Sequence, residues 1–373
     1  MLSPSPREAA ASSRIVADQG DLVTVAIPAR NEQQFIGRCL DSLLSQTYRN
    51  LEIIVVDSAS TDRTRDVALE YAAEDARIIV LAEARASIPA ALNAALKAAR
   101  GRWFVRVDAH SLVPDNYVET LVGHLRSGRW GGVGGRKDGV GATPAGRAIA
   151  AAMGSRFGVG NSWYHHATST RSVEHIPFGA YPTSLLRSVD GWDETIPANE
   201  DFELDYRLRK RGHVLLLDPG VVIRWQSRQS IGDLFAQYRR YGGGKALVAI
   251  RHPSSLLPRH MAPPLLVCTA ALSLLVAARD LPVGALMLSP YVLSVLIASV
   301  LVARKIPTWS SRALVPAVFV VMHCGWGIGF IEGVVRRLLT RVRRRVGNPR
   351  LSARGATEGT RGRASREGIA ETS

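Results

Sequence analysis

The sequence has few cysteines, three in 373 residues, and they form no pair pattern. Cys268 and Cys324 lie in apolar segments, and Cys39 lies in a predicted helix. Three scattered cysteines predict neither a disulfide framework nor a cysteine-built metal site.

The first residues also lack the apolar core of a signal peptide. Residues 1–20 are therefore predicted to be a flexible leader.

Glycine-rich phosphate-binding motifs are missing after the first predicted strand. The segment IPARNE, residues 27–32, contains neither GxGxxG nor GxxxxGK[ST]. Their absence argues against a dinucleotide-dependent oxidoreductase and against a P-loop enzyme. Any bound nucleotide must then be held by carboxylates, backbone groups and a metal ion.

Nucleic-acid-binding motifs are also missing, although the chain is strongly basic, with a net charge of +15 and a pI of about 10.4. It has no zinc-finger spacing and no RNA-recognition aromatic motif. Much of the excess charge lies in residues 336–354, directly after an apolar run. Arginine clusters of that kind bind anionic lipid headgroups and mark the cytoplasmic side of a membrane. The charge therefore predicts membrane lipids, and no nucleic acid, as partners.

Strands and helices alternate in the first part of the chain. Continuously apolar segments predict strands at residues 22–28, 51–57, 76–83 and 102–108, and amphipathic segments between them predict helices. This alternation is typical of a parallel sheet covered on both faces. Ligands bind such sheets beyond the carboxyl ends of the strands. Asp57 and Asp108 lie at two of these ends and are expected to face one crevice.

The fourth predicted strand ends in VDAH, with a carboxylate and an imidazole two positions apart. In extended chain, residues i and i+2 point to the same side, so Asp108 and His110 are placed to bind one divalent cation. Alternatively, Asp108 caps the turn after the strand and His110 is an ordinary loop residue.

The segment at residues 128–181 is rich in glycine. It is predicted to be mostly loop, which either shapes a substrate cleft or serves as a flexible connector.

A helix is predicted to begin near Asp201 and to end at Gly212, because glycine is a common C-terminal stop. Glu200 and Asp201 fall at its N-terminus, where the helix dipole favours ionised carboxylates. They are either catalytic groups or helix caps.

Three apolar segments follow, at residues 262–278, 281–303 and 313–335. A full membrane span needs about 20 residues. The first segment is short and carries Pro263 and Pro264, and the third is interrupted by MHCGWGIGF. We predict membrane embedding, in preference to core helices of a soluble protein, with one of these two segments not crossing. The predicted division is a catalytic domain at residues 21–258, membrane helices with a basic flank at 259–346, and a disordered tail at 347–373.

Five motifs in order resemble one enzyme family: IPARNE, VVDSASTD, VDAH, NEDFELDYRLRKRG and QYRRYGGGK. They are similar to those of inverting family 2 glycosyltransferases, and most like the succinoglycan-type, ExoA-like exopolysaccharide glucosyltransferases. The resemblance covers about residues 21–249 and the membrane part. It implies an α/β fold of the GT-A class: a Rossmann-like, mostly parallel sheet with helices on both faces, followed by a C-terminal α-helical membrane region.

The resemblance also implies roles for particular residues. The donor nucleotide would be held by Pro28, Ala29, Arg30, Glu32, Asp57 and Asp108. Asp201, next to Glu200, would be the general base, and Gln237, Arg240 and Tyr241 would lie in the diphosphate and acceptor region. Asp108 and His110 would bind Mn²⁺ or Mg²⁺. The family has a second acid where this chain has His110, and imidazole suits Mn²⁺ better than Mg²⁺.

The activity implied by the resemblance is sugar transfer with inversion, from a nucleotide sugar such as a UDP-hexose to a polyprenyl-diphosphate-linked saccharide. It would serve exopolysaccharide or cell-envelope glycan synthesis at a bacterial inner membrane, with the catalytic domain cytoplasmic. One alternative is a processive polysaccharide synthase, which QYRRY keeps open. The small membrane part, and the lack of a helix before the catalytic domain, oppose it. Another is a non-catalytic membrane-anchored scaffold that binds a sugar or nucleotide; His110 favours it and the intact NED opposes it.

Overall fold

The structure, a computed structural model, describes residues 20–347. The predicted leader and tail, except for Gly20 and Gly347, lie outside the described residues. Within residues 21–108 the predicted alternation is confirmed. The strands are β1 Val23–Ala29, β2 Leu51–Asp57, β3 Ile78–Ala82 and β4 Trp103–Arg106. The helices between them are α1 Ile36–Leu44, α2 Thr64–Glu74 and α3 Ile88–Ala98.

The first four strands form the predicted parallel sheet, in the order β3-β2-β1-β4. Local sequence explains where its elements begin. At the start of α3, Ser87 Oγ accepts a hydrogen bond from the Ala90 N–H at 3.4 Å, and proline occupies the first turn. Both features satisfy or remove backbone donors that a helix N-terminus leaves unpaired.

Five further strands extend this sheet. They are β5 Ser111–Leu112, β6 Gly132–Val140, β7 Arg171–Val173, β8 Ala180–Pro182 and β9 Leu215–Gln226. The order continues from β4 as β8-β6-β9-β5, with β7 also pairing with β9. Because β8 runs antiparallel to both β4 and β6, the complete sheet is mixed.

Residues 144–153 and 156–159 are helices, and the expectation of a mostly looped segment at residues 128–181 is also wrong for β6. Its glycines mark close packing. A methyl group at Gly132 would lie 2.7 Å from the Tyr181 ring, and one at Gly135 would lie 2.6 Å from the Val221 carbonyl oxygen. These distances are too short for any side chain, so glycine is required by the neighbours of this strand and gives no sign of disorder.

Helices cover the sheet on both faces, as predicted. The remaining helices of this part are α4 Tyr117–Arg126, α5 Pro144–Met153, α6 Arg156–Val159, α7 Thr183–Ser188, α8 Glu200–Lys210 and α9 Ile231–Arg251. One apolar core lies between the sheet and α1, α2 and α4. A second lies on the other face, under α3, α7 and α8.

Three C-terminal helices are long and apolar enough to cross a membrane. The candidate spans are Pro258–Ala277, Leu281–Ala303 and Trp309–Thr340. They contain the helices α10 Ala262–Ala277 and α11 Leu281–Ala303 and most of α12 Trp309–Gly347. The expected interruption at MHCGWGIGF is wrong, since α12 is continuous through residues 322–330. Glycine there serves helix packing. A methyl group at Gly329 would overlap the Arg239 carbonyl, and one at Gly242 of α9 would overlap the Trp326 carbonyl.

This close α9–α12 contact leads to a stability prediction. We expect Gly242→Ala to destabilise the protein by about 1–3 kcal/mol, because the added methyl group overpacks the contact. Gly123→Ala in α4 is the matched control, since a methyl group there meets nothing within 4 Å. It is expected to be stabilising by about 0.5–1 kcal/mol, as alanine is the better helix former. Thermal unfolding of the detergent-solubilised chain measures both. Equal midpoints for the two variants would contradict the contact.

Candidate active site

Two loops meet at the carboxyl ends of β1 and β2. Asn31 Oδ1 accepts a hydrogen bond from the Thr61 N–H at 2.8 Å, and the Glu32 N–H donates to Thr64 Oγ1 at 2.6 Å. Asn31 adopts a left-handed conformation with φ of 56°, which asparagine tolerates better than most residues. The predicted residues Pro28, Ala29, Arg30 and Glu32 therefore lie at the same edge of the sheet as Asp57.

Asp57 ends β2 and is buried. Its Oδ2 lies 3.4 Å from the Ser60 N–H, but its buried Oδ1 has no hydrogen-bond partner among residues 20–347. A buried carboxylate oxygen without a donor is unfavourable by about 1–3 kcal/mol or more. Asp57 is therefore suited to accept a hydrogen bond from a ligand.

Arg106 joins three carboxylates that lie far apart in the sequence. Arg106 is 4% exposed, and its guanidinium lies 2.9 Å from Asp108, 3.0 Å from Glu200 and 2.5 Å from Asp201. Sequence reasoning missed this residue. A signal was present, since an arginine inside an apolar strand, two positions before Asp108, must point to the same side as that carboxylate.

The Arg106 cluster changes the proton affinity of its carboxylates. Burial opposes ionisation of Asp108, but Arg106, His110 and Lys137 outweigh it and hold the pKa of Asp108 below its ordinary value. For Glu200 burial prevails: together with the neighbouring Asp201 charge, and in spite of Arg106, it raises the pKa. The two carboxylates are thus tuned in opposite directions, which is typical of sites that move protons.

Asp201 lies in the first turn of α8, yet its carboxylate does not act as a cap. Oδ1 accepts a hydrogen bond from Trp192 Nε1 at 2.9 Å, and Oδ2 pairs with Arg106. Asn199 occupies the capping position, and its side-chain amide donates to the Tyr241 carbonyl at 2.8 Å. The alternative of a mere cap is therefore excluded for Asp201 in this structure.

His110 contacts Glu32, with 2.9 Å between His110 Nδ1 and Glu32 Oε1. A carboxylate at one ring nitrogen is the usual support of a metal-binding histidine. In the described part of the chain, no group of three or more His, Cys, Asp or Glu side chains is placed to hold a metal ion. If Asp108 and His110 held a cation, most of its coordination would have to come from oxygens of a ligand, as Mg²⁺ commonly takes from phosphates.

Lys137 is a second residue that sequence reasoning missed. It lies in β6, half-buried in the cavity wall, with its ammonium 4.0 Å from the centre of the Trp225 ring and 4.4 Å from that of Phe178. Burial lowers its pKa to about 8, against the attraction of Asp108. Lys137 therefore brings a cation to the cavity wall near Asp108. One lysine in a glycine-rich segment gave no usable signal.

The QYRRY stretch is divided between two environments. Gln237 is buried, and its Nε2 donates to the Tyr241 hydroxyl at 3.1 Å. Tyr241 lines the same cavity as Asp108 and Asp201. Arg240 is exposed and lies outside the wall of this cavity.

The cavity itself has a volume of about 1190 Å³. Asp108, Glu200 and Asp201 line one part of it. Another part is lined by side chains of the C-terminal helices: Pro263, Leu266, Tyr291, Met322 and Trp326. The carboxylates thus share one space with the apolar helices, which suits a substrate that has both a polar and an apolar part.

Comparison with known proteins agrees with this geometry. A profile described as Glycosyl transferase family 2 matches residues 24–186. The chain is 31% identical to the succinoglycan biosynthesis protein ExoA of Rhizobium meliloti (strain 1021) over 313 residues, which cover 82% of this chain and 93% of ExoA.

Two more distant proteins are similar over most of their length. One is a Methanococcus voltae enzyme, dolichyl N-acetyl-alpha-D-glucosaminyl phosphate 3-beta-D-2,3-diacetamido-2,3-dideoxy-beta-D-glucuronosyltransferase, with 22% identity, covering 85% of this chain and 98% of that protein. The other is the solved structure of the mannosyltransferase PcManGT from Pyrobaculum calidifontis with GDP-Man and Mn²⁺. Its TM-score is 0.54 at 18% identity, covering 88% of this chain and 94% of that one. This likeness confirms the predicted GT-A fold.

Proposed function

Because the chain belongs to glycosyl transferase family 2, we propose that it moves a sugar, with inversion, from a nucleotide-sugar donor to a lipid-linked saccharide. Membership of the family makes it a glycosyltransferase. The observation that carries the choice of acceptor is the single cavity that joins Asp108, Glu200 and Asp201 to the apolar C-terminal helices. A saccharide on a membrane lipid has the matching polar and apolar parts.

The proposed donor is a UDP-hexose. Asp57, with its buried unpaired Oδ1, would accept a hydrogen bond from the base, beside the loop from Pro28 to Glu32. Lys137 brings positive charge to the region where the diphosphate would lie, and Arg106 partly neutralises the three carboxylates there. PcManGT was solved with GDP-Man and Mn²⁺, which supports a nucleotide sugar and a divalent cation here. Asp108 and His110 would hold that cation, which supplies a Lewis acid for diphosphate oxygens.

In the proposed reaction Asp201 takes the proton of the acceptor hydroxyl while that oxygen attacks C1 of the donor sugar. The bond from C1 to the diphosphate oxygen breaks, and the nucleoside diphosphate leaves with the electron pair. Attack from the opposite face inverts the anomeric centre. Arg106 and Trp192 fix the Asp201 carboxylate, so its lone pairs are oriented before substrate binds.

The proposed setting is exopolysaccharide or cell-envelope glycan synthesis on a polyprenyl-diphosphate carrier. The names of the two relatives support this: one is a succinoglycan biosynthesis protein, and the other acts on a dolichyl-linked sugar phosphate. The test is a screen of nucleotide sugars for diphosphate release by membranes containing the full chain, with native lipid extract as acceptor. We expect one donor to give acceptor-dependent release and a product longer by one sugar. A ladder of products would indicate a processive synthase, and no release with any donor would indicate a scaffold.

We also propose that the catalytic domain and the C-terminus lie on the cytoplasmic side. Leu274, Leu275 and Leu286 of the α10–α11 hairpin are about 70% exposed, as expected for side chains in lipid. By contrast, Val318 and Phe319 of α12 are fully buried in one cluster with residues of α5, α9 and the C-terminal half of α11. The hairpin would therefore enter the membrane and return, while α12 lies along the catalytic domain.

This arrangement predicts an even number of crossings. We expect reporter fusions before Gly20 and after Gly347 to show the same cytoplasmic location, because a returning hairpin leaves both ends on one side. Cytoplasmic and periplasmic reporters at both positions measure this. An external reporter after Gly347 with a cytoplasmic one before Gly20 would contradict it.

A further inference from the structure

Three cations line the cavity close to the apolar C-terminal helices. They are Arg209 of α8, Lys245 of α9 and Arg259 in the short turn before α10, and we call them the basic pocket. Lys245 is 3% exposed. Its ammonium donates to the Ser255 carbonyl at 3.2 Å and lies 3.5 Å from the centre of the Phe202 ring.

The basic pocket has more positive charge than its surroundings neutralise. Across residues 20–347, no acidic side chain forms an ion pair with Lys245 or Arg209, and Arg209 Nε is buried without a hydrogen-bond partner. Arg259 pairs with Glu174 at 2.5 Å. Burial lowers the pKa of Lys245 to about 7. Buried cations without counter-charges are unfavourable, and an anionic ligand would relieve this cost.

The surroundings of the basic pocket indicate what kind of anion it takes. Pro263 and Leu266 of α10 and Tyr291 of α11 line the same cavity and continue into the exposed apolar hairpin. In the other direction, Lys245 lies over Phe202, the residue next to Asp201. An anion bound at the basic pocket would therefore lie between the apolar side chains of the C-terminal helices and the carboxylate proposed to act as the base.

We propose that Arg209, Lys245 and Arg259 bind the phosphate of the lipid-linked acceptor. The hydrocarbon chain leaves along Leu266 and Tyr291, and the acceptor sugar extends toward Asp201. This assignment rests on the proposed function for its choice of a lipid acceptor. It adds the residues that recognise the phosphate and fix the distance from the membrane to the reacting hydroxyl.

Binding by the full chain in detergent tests the basic pocket without requiring turnover. With the donor site saturated by UDP, tryptophan fluorescence reports binding of a polyprenyl phosphate and of the polyprenol of equal length. We expect the phosphate to bind about tenfold or more tightly, as charged hydrogen bonds do. Lys245→Met should remove this difference. The matched control Lys210→Met, an exposed position beside Arg209, should retain it, and Lys245→Arg should largely restore it.

Each other outcome is decisive. Equal competition by phosphatidylglycerol would make the pocket a general anionic-lipid surface, and equally tight inorganic diphosphate would make it a free-phosphate site; either overturns the proposal. An unchanged acceptor KM in Lys245→Met also overturns it. Phosphate-dependent binding without transfer to any lipid would refute the proposed function and would still support phosphate binding by the basic pocket. Unchanged UDP affinity shows that Lys245→Met is folded. If Lys245→Met does not fold, Arg209→Gln, at a less buried residue, takes its place in each measurement.

Discussion

Replacing Asp108 by alanine is expected to reduce sugar transfer by about 10²–10³-fold, the usual loss when one preorganised electrostatic group of an active site is removed. Asp108 lies two residues after the end of β4, lines the cavity and pairs with Arg106. Its loss removes the carboxylate expected to hold the cation and also frees a buried guanidinium beside Glu200 and Asp201. Both changes disturb the charges around the leaving diphosphate.

The rate of nucleoside diphosphate release measures this effect, with Asp66→Ala as the matched control. Asp66 lies in α2, is exposed and forms only a long contact of 4.0 Å with Arg63, so the control should keep normal activity. Thermal unfolding must show that both variants are folded. Normal transfer by folded Asp108→Ala would remove this residue from the donor site.

The substitution His110→Asp tests the second residue that is proposed to hold the cation. The substitution restores the carboxylate pattern of the family, so we expect substantial activity. Because oxygen replaces nitrogen, activity with Mg²⁺ should rise relative to Mn²⁺. Activity measured with each cation in turn gives this ratio. If folded His110→Asp is as inactive as Asp108→Ala, the bond between His110 and Glu32 serves another purpose, such as positioning the loop that carries Glu32.

Local patterns predict the part of the fold that is built from local contacts. Apolar runs identify β1, β2 and β4 because both faces of these strands are buried, and Ser87 identifies the start of α3 because capping is local. The packing of β6 and α12 is different. From sequence alone their glycines indicate a loop and a helix break, since the residues that pack against them, such as Tyr181 and Arg239, are distant in sequence.

The same distinction applies to the candidate site. Strand ends place Asp57 and Asp108 at one edge of the sheet, and the first turn of α8 presents Glu200 and Asp201. Sequence reasoning could not show that Arg106 joins three of these carboxylates, because 94 positions separate it from Glu200. Long-range pairing of this kind depends on the complete sheet order, in which antiparallel β8 follows β4. Periodicity contains no information about that order.

The second large effect is expected for Asp201→Asn. General-base catalysis contributes about 10²–10⁴ in rate, and asparagine cannot take the proton of the acceptor hydroxyl effectively. Its amide oxygen can still accept the hydrogen bond from Trp192 Nε1, so the side chain keeps its place. We expect transfer to fall by that factor. Nucleotide-sugar affinity should change little, because the proposed diphosphate contacts are the cation at Asp108 and His110 and the Lys137 ammonium, and Asp201 is not among them.

Loss of the Asp201 charge also weakens the pairing with Arg106, and Glu200→Gln separates this effect from base catalysis. Glu200 lies 3.0 Å from the same guanidinium, so each variant removes one carboxylate partner of Arg106. If Asp201 is the base, Asp201→Asn loses far more turnover than Glu200→Gln at similar UDP-sugar affinity. Equal losses would assign both carboxylates to holding Arg106. Loss of donor binding together with turnover would assign Asp201 to the donor site. Removing a base that acts only on the acceptor hydroxyl does not lower the affinity for the nucleotide sugar.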